Sequence, residues 1–361
     1  MKQIPLTEEE QKLKTIFQTH TDILSRPFFQ PALAELSEKC GTDLAHLLPI
    51  SLDERLMENA VFGEAEDTAI LRHLRYLPAM YHEHTFFEMI YVFEGTCTNY
   101  INDPPCTLKK GDLCLIAPDT LHALAAFSDE AVVYNFMIRT STFEQVYQSF
   151  LRNANALNDF FMQALYVKRR NASLIFHTGD DASLRDFMKY TCQEYEKQET
   201  YWPQMVNNLL HAIFILLLRR HEEDIELPGT PDLKVLDEVV DILHDIHTNF
   251  HEVTLGRLAK KFNYSERHIS RLLKEQTGMN FHDIVRDFRL RQAADLLANP
   301  NLSLADIVEQ VGYSDVSSFV RIFKKQYGRT PADYRKTIAF PAATVPKDPD
   351  PLSSGSRCST S

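Results

Sequence analysis

The chain has 361 residues, a formal net charge of −12, and 44% hydrophobic and 11% aromatic residues. That length exceeds what one hydrophobic core normally organises, so at least two domains are expected, and the apolar content excludes a predominantly disordered chain. An acidic total would exclude a nucleic-acid binder only if the charge were evenly spread. It is not: Leu255 to Lys336 holds 15 Lys and Arg against 9 Asp and Glu, a net of +6, which leaves −18 elsewhere. A phosphate senses local potential, screened over about 8 Å at physiological salt, so the basic stretch reopens that class. The start, MKQIPLTEEEQKLKTIF, is charged where a secretory signal is apolar, and the run Ala212 to Leu218 falls far short of a membrane span of about 20 residues. Six cysteines (Cys40, Cys97, Cys106, Cys114, Cys192, Cys358) form no CxxC pair. Reduced thiols and a cytoplasmic protein with no membrane partner are the expectation.

In chain order, residues 1–75 read as a helical N-terminal extension. LKTIFQTHTDIL and PALAELSEKCG carry apolar residues three and four apart, and Gly41 is a helix stop. Residues 76–140 turn to short β-type runs (FFEMIYVFEG, CTNYIND, DLCLIAP, AVVYNFMI) punctuated by Gly95, Pro104-Pro105, Gly111 and Pro118, the pattern of an antiparallel barrel or sandwich. The helical period returns over 141–228 and ends in QMVNNLLHAIFILLLRRHEED, before a linker-like LPGTPD. The apolar stripe from Leu209 to Leu218 fits a helix pair between subunits, and an internal core almost as well. Residues 232–338 are helical, and the Pro- and Ser-rich tail 339–361 reads as disordered. The fold class expected is α+β, a β domain with flanking helices followed by an all-α domain.

The 232–338 region contains a repeat. LGRLAKKFNYSERHISRLLKEQTGMNFHDIVR superposes on LADIVEQVGYSDVSSFVRIFKKQYGRTPADYR with Leu255 on Leu304, Tyr264 on Tyr313 and Ser265 on Ser314, then, after one inserted residue, Gly278 on Gly328 and Asp283 on Asp333. Each copy reads as a short helix, a tight turn and a second helix. In the second copy Ser303-x-x-Asp306 makes a capping box, Gly312 allows the turn, Ser314 or Asp315 caps the next helix, and Gly328 ends it before Thr330-Pro331. In the first, Thr254, Asn263, Ser265 and Asn280 stand in those places, Asn tolerating left-handed backbone. This is helix-turn-helix geometry, whose second helix enters a major groove. Ile269, Leu272 and Leu273 should face the core of the first unit and Phe319, Ile322 and Phe323 that of the second. Arg267, Ser270, Arg271 and Lys274, and then Val316, Ser317, Val320, Arg321, Lys324 and Lys325, are left outward. NFHDIVRDFRLRQAADLLA between them reads as one continuous helix, about 28 Å long, near the roughly 34 Å of a duplex turn.

The second copy, with Gly312-Tyr313, Ser318-Phe319, Arg321, Phe323-Lys324-Lys325, Gly328, Thr330-Pro331 and Tyr334-Arg335, resembles the signature of AraC/XylS-type transcription regulators. The resemblance implies a seven-helix DNA-binding domain. It assigns base contact to Arg267, Ser270 and Arg271 in the first recognition helix and to Asp315, Val316, Ser317 and Arg321 in the second, with double-stranded operator DNA, RNA polymerase and a second copy of the chain as partners. Val316 departs from the polar residues common at its position; a valine packs on a thymine methyl instead.

In the β region, His82-x-His84-x3-Glu88-x6-Gly95 places residues 82, 84 and 88 on one strand face. With Gly111, Pro118 and His122 this resembles the cupin barrel: the first motif is complete, while in the second the proline is shifted by one and Thr120 replaces a glycine. Three histidines and a carboxylate suit a divalent metal, so a metal-dependent cupin enzyme or a metal sensor is the rival reading. The joint resemblance implies instead an effector pocket without metal or other cofactor, in which His82, His84, Glu88, His122 and Tyr91 contact a small molecule such as a sugar, with Tyr81, Phe87 or Tyr91 as stacking surface for its ring. Activation of a carbohydrate-utilisation operon is the outcome typical of that resemblance.

Overall fold

The computed structural model describes residues 4–44, 55–63, 66–101, 104–143, 156–167, 172–226, 233–297, 299 and 301–339; the LPGTPD stretch and the tail beyond 339 lie outside them. Helix α1 (Glu8–Thr19) starts at a capping box in which the Thr7 hydroxyl accepts from the Glu10 amide and the Glu10 carboxylate from the Thr7 amide. Helices α2 (Thr21–Leu24) and α3 (Leu33–Cys40) follow, with strand β1 (Phe28–Phe29) between them, and α3 stops where Gly41 adopts left-handed backbone.

Next come β2 (Arg55–Leu56), α4 (Glu58–Val61), β3 (Thr68–Arg72), β4 (Met80–Tyr81), β5 (Glu83–His84), β6 (Phe87–Glu94), β7 (Thr96–Asn99), β8 (Cys106–Lys109), β9 (Asp112–Ile116), β10 (Leu124–Ala125) and β11 (Val132–Ile138). Beyond these lie α5 (Ala156–Tyr166), β12 (Ser173–His177), α6 (Ala182–Lys197), α7 (Trp202–Arg220) and β13 (Ile225–Glu226). A six-stranded antiparallel sheet in the order β13-β12-β9-β6-β11-β3 faces a three-stranded sheet in the order β10-β7-β8. Alternation along β6 and β9 splits their side chains between two cores: Ile90, Val92, Cys114 and Ile116 fill the space between the sheets, while Phe87, Met89, Tyr91, Leu113 and Leu115 face the helices.

Three features differ from the pattern-based expectation. Strand β3 falls within residues 1–75 and strands β12 and β13 within 141–228, both read as helical; TAILR and SLIFH are five-residue runs, too short to carry a helical period. The barrel is not closed among the described residues, because neither β8 nor β10 pairs with an edge strand of the larger sheet, and the result is a sandwich. The stripe on α7 is largely taken up inside the subunit, where Leu210, Ile213, Phe214 and Leu217 are buried.

The C-terminal part has seven helices among the described residues: α8 (Leu233–Thr248), α9 (Leu255–Phe262), α10 (Glu266–Thr277), α11 (Phe281–Leu296), α12 (Leu304–Gln310), α13 (Val316–Tyr327) and α14 (Pro331–Ala339). The connecting helix α11 has 16 residues, hence about 24 Å, somewhat shorter than the sequence pattern predicts. Its N-terminal half (Phe281, Ile284, Val285, Phe288) belongs to a core continuous with the sensor, whereas Leu290, Ala293, Ala294 and Leu297 belong to the core of the second helix-turn-helix unit. The described cysteines are unpaired, and no helix among the described residues is long and apolar enough to cross a membrane.

Candidate DNA interface and effector site

The second helix of each helix-turn-helix unit, α10 and α13, is fixed at its ends by local chemistry. Ser265 accepts from the His268 amide at the start of α10, and Asp315 accepts from the Ser317 and Ser318 amides at the start of α13. Asn263 takes up left-handed backbone at φ 57° in the first turn, and Gly312 takes φ 80° in the second, where a Cβ would meet the His251 carbonyl oxygen at 2.9 Å. Ile269, Leu273, Phe319 and Phe323 are wholly buried; Ile322, predicted as core, is only half-buried and lines the cleft between the two units.

The opposite faces carry the predicted contact residues. Arg267, Arg271, Lys274, Val316, Ser317, Arg321, Lys324 and Lys325 are exposed and Ser270 half-exposed. Two have local duties as well. Lys274 Nζ donates to the Gly278 carbonyl at 2.7 Å, and the Asp315 carboxylate is engaged by the start of α13, whose Ser318 hydrogen bonds hold it below its ordinary range. A cap that already accepts two amides has less to offer a base edge than free carboxylate chemistry implies.

Much of the local positive charge is structural. Arg289 donates to the carbonyls of Phe250, His251 and Gly312, and Arg335 to those of Leu297 and Leu302, so both staple the turn and helix ends of the domain. Arg257 pairs with Glu252, Lys261 with Asp245 and Arg286 with Asp283. A count of charge in the sequence cannot separate these from the residues on the outer face.

In the sandwich, β4, β5 and β6 and the segment before β10 bring His82, His84, Glu88 and His122 together. Backbone amides of His82 and His122 each donate to the other's carbonyl, a bridge that sets the two imidazoles 4.4 Å apart between centroids. Glu88 Oε2 lies 2.9 Å from His122 Nε2 and 3.2 Å from His84 Nε2, and all three groups are buried. Burial works to raise the Glu88 carboxyl, but the hydrogen bonds and charges of His122 and His84 outweigh it and hold it well below the usual carboxylate range. Burial first, and then the neighbouring His122, push His82 down to about 3.

The predicted aromatic contacts do not join this cluster. Tyr91 has the opposite parity to Glu88, so its ring sits in the helix-facing core, edge-on to Phe93 at 4.7 Å. Phe87 faces the same way and stacks on Phe143 at 3.9 Å, while Tyr81 stacks on Phe29 at 4.8 Å. One contact that pattern alone leaves invisible joins sensor and reader: the Tyr166 hydroxyl at the end of α5 donates to Asp287 Oδ2 on α11 at 2.7 Å. The same ring lies 4.7 Å from Phe288, and Arg291 donates to Asp287 while covering the tyrosine face. These partners are 121 residues apart in the chain.

Residues 75–174 match the family model of an AraC-like ligand binding domain, and residues 258–337 that of a helix-turn-helix domain. The chain is 24% identical over 269 residues to the HTH-type transcriptional activator RhaR of Yersinia pseudotuberculosis serotype O:3 (strain YPIII), covering 74% of this chain and 89% of the relative. RhaR of Shigella dysenteriae serotype 1 (strain Sd197) is 25% identical over 255 residues, 70% of this chain and 86% of its own length. Among solved structures, ToxT from Vibrio cholerae O395 aligns with 76% of this chain and 99% of its own at 12% identity and a TM-score of 0.29.

Proposed function

We propose, for a chain that belongs to the AraC-type transcription regulators, that a small molecule held in the two-sheet sensor controls how its two helix-turn-helix units occupy operator DNA. The observation that carries the reading is the pair of capped recognition helices, α10 and α13, each with an apolar face in its own core and a polar or basic face exposed, joined by the single helix α11. Arg267, Ser270, Arg271, Val316, Ser317 and Arg321 are assigned to base edges. Lys274, Lys324 and Lys325 are assigned to phosphates, and Asp315 positions its helix.

The effector site is assigned to the polar cluster His82, His84, Glu88 and His122 between the sheets, and Tyr91 is no longer part of it. A polyhydroxyl ligand such as a sugar suits that cluster, since buried imidazoles and a carboxylate reward a partner that both donates and accepts. The relatives are named as activators, which favours activation of a carbohydrate-utilisation operon with RNA polymerase as a further partner. We assign dimerisation to the α6–α7 hairpin, where Tyr190, Tyr201 and Met205 are exposed large apolar residues, and place the protein's work in the cytoplasm beside its operator.

The test is footprinting of the full-length chain on genomic fragments, with and without sugars chosen by a thermal-shift screen. Two protected major-groove segments per subunit, about one duplex turn apart, are expected, with a pattern that changes on addition of the effector. Uniform, sequence-independent protection would end the proposal.

A further inference from the structure

We infer that Glu238, Tyr264 and His268 form a positioning array that holds Arg271 ready for its base, which makes His268 a specificity-determining residue of the first helix-turn-helix unit. The inference rests on the assignment of Arg271 to a base edge. Its three members come from α8, from the turn and from the start of α10.

The array begins on α8. The Tyr264 hydroxyl donates to Glu238 Oε1 at 2.9 Å across 26 residues of chain, and that hydrogen bond holds the phenol above its ordinary range near 10, in its donating form. The backbone on either side of the tyrosine is fixed as well, since Asn263 adopts left-handed backbone and Ser265 caps α10. With its hydroxyl anchored and its neighbours held, the ring is a defined platform.

His268 lies against that platform. The two rings stand 4.4 Å apart with 24° between their planes, a stacked arrangement that restrains the imidazole. His268 Nδ1 then lies 3.4 Å from Arg271 Nη2. A guanidinium only donates, so Nδ1 is the acceptor and the hydrogen of the neutral ring sits on Nε2. The contact is long and lies at the surface, so it adds little stability. Its effect is geometric: it engages one N–H of the guanidinium fork and leaves the others for a base edge. An arginine pre-set in this way loses less rotamer freedom on docking than one sweeping through water. In the second unit Ser318 stands three residues after the cap Asp315, as His268 stands after Ser265, and Tyr313 meets Phe319 and Arg289 instead. The array is therefore a property of the first unit.

Duplexes selected from a random pool by the full-length protein supply the DNA for the test. Arg271→Ala identifies the base pair that this arginine reads, as the one whose preference disappears. At that pair His268→Leu should lose roughly three- to tenfold of discrimination, part of the roughly 5- to 150-fold that a bidentate contact provides, with an unchanged salt slope because no phosphate contact is lost. His268→Asn, which keeps an acceptor at the δ position, should stay close to the unsubstituted protein. Tyr264→Phe, which keeps the ring but cuts its tie to Glu238, should show a smaller loss at the same pair, and it carries the test where His268→Leu fails to fold. In an Arg271→Ala background His268→Leu should change nothing further. Discrimination intact in His268→Leu and Tyr264→Phe but lost in Arg271→Ala would overturn the array and leave the base contact standing. A His268→Leu loss spread over all base pairs, or persisting in the Arg271→Ala background, would overturn it too. Preferences unchanged in Arg271→Ala would overturn the base contact itself, and the array with it.

Discussion

Arg75 and Glu10 show how individual side chains tie the N-terminal segment to the sensor. The Glu10 carboxylate, fully buried, takes hydrogen bonds from Arg75 Nε and, at 2.6 Å, Arg75 Nη2, and lies 3.2 Å from Arg72, while Arg75 also donates to the carbonyls of Ile4, Pro5 and Asp129. Burial works to raise the Glu10 carboxyl, yet the arginine hydrogen bonds, the Thr7 amide and Arg72 bring it down to about 2. A depressed carboxylate stabilises the fold above its ordinary range near 4.5 and loses that contribution as pH falls toward 2. Glu10→Gln should therefore cost about 3 kcal/mol at neutral pH by leaving a buried guanidinium uncompensated. The gap from the unsubstituted protein, read by urea unfolding, should narrow below about pH 4.5. On the outer face of the reader, Arg271→Ala should lose discrimination between operator and scrambled DNA, whereas Lys325→Ala should weaken both and lower the salt slope by about one; identical behaviour would refute the division between base and phosphate contacts. His82, His84 and Glu88 were legible from parity because a strand has a strict period of two, whereas His122, on a separate segment, came only from the resemblance. The Glu10–Arg75 pair was not, since its partners stand 65 residues apart and no periodicity links them.

Among the elements, the helices of the reader follow the sequence most closely. Caps act within three or four residues, so Thr254, Ser265, Ser303 and Asp315 could be read directly, and each accepts the amide hydrogen bond its position predicts. Asp315→Ala should cost about 1 kcal/mol of domain stability and fray the start of α13, measurable as faster amide exchange at Ser317 and Ser318. Gly312 marks a sharper constraint: its φ is 80°, and the clash with the His251 carbonyl adds to the backbone cost, so Gly312→Ala should destabilise by roughly 1–3 kcal/mol in thermal unfolding. Short strands were less legible. β3 and β12 are buried on successive residues, so they lack the alternation that identifies a half-exposed strand, and only pairing with β11 and β9 defines them.

At the scale of the whole molecule, the contact of α5 with α11 ties the sensor to the DNA-binding domain through Tyr166 and Asp287, and the proposed effector response is expected to pass through it. Tyr166→Phe removes one partly buried hydrogen bond, worth about 0.5–1.5 kcal/mol, and should change the ratio of effector-bound to effector-free operator affinity by roughly two- to tenfold. An unchanged ratio in full-length protein would place the coupling elsewhere. Domain order was readable from composition and repeats, but this contact was not, because its geometry depends on how separate units dock. The two halves of α11 also lie in different cores, the first merged with the sensor and the second enclosed with α12, α13 and α14. Among the described residues the boundary between these two cores therefore runs inside α11, through the DNA-binding domain. Under mild denaturant the second unit can open while the nearer recognition helix keeps the core it shares with the sensor, and a chain cut between α11 and α12 would bare Leu290, Ala293, Ala294 and Leu297 to water.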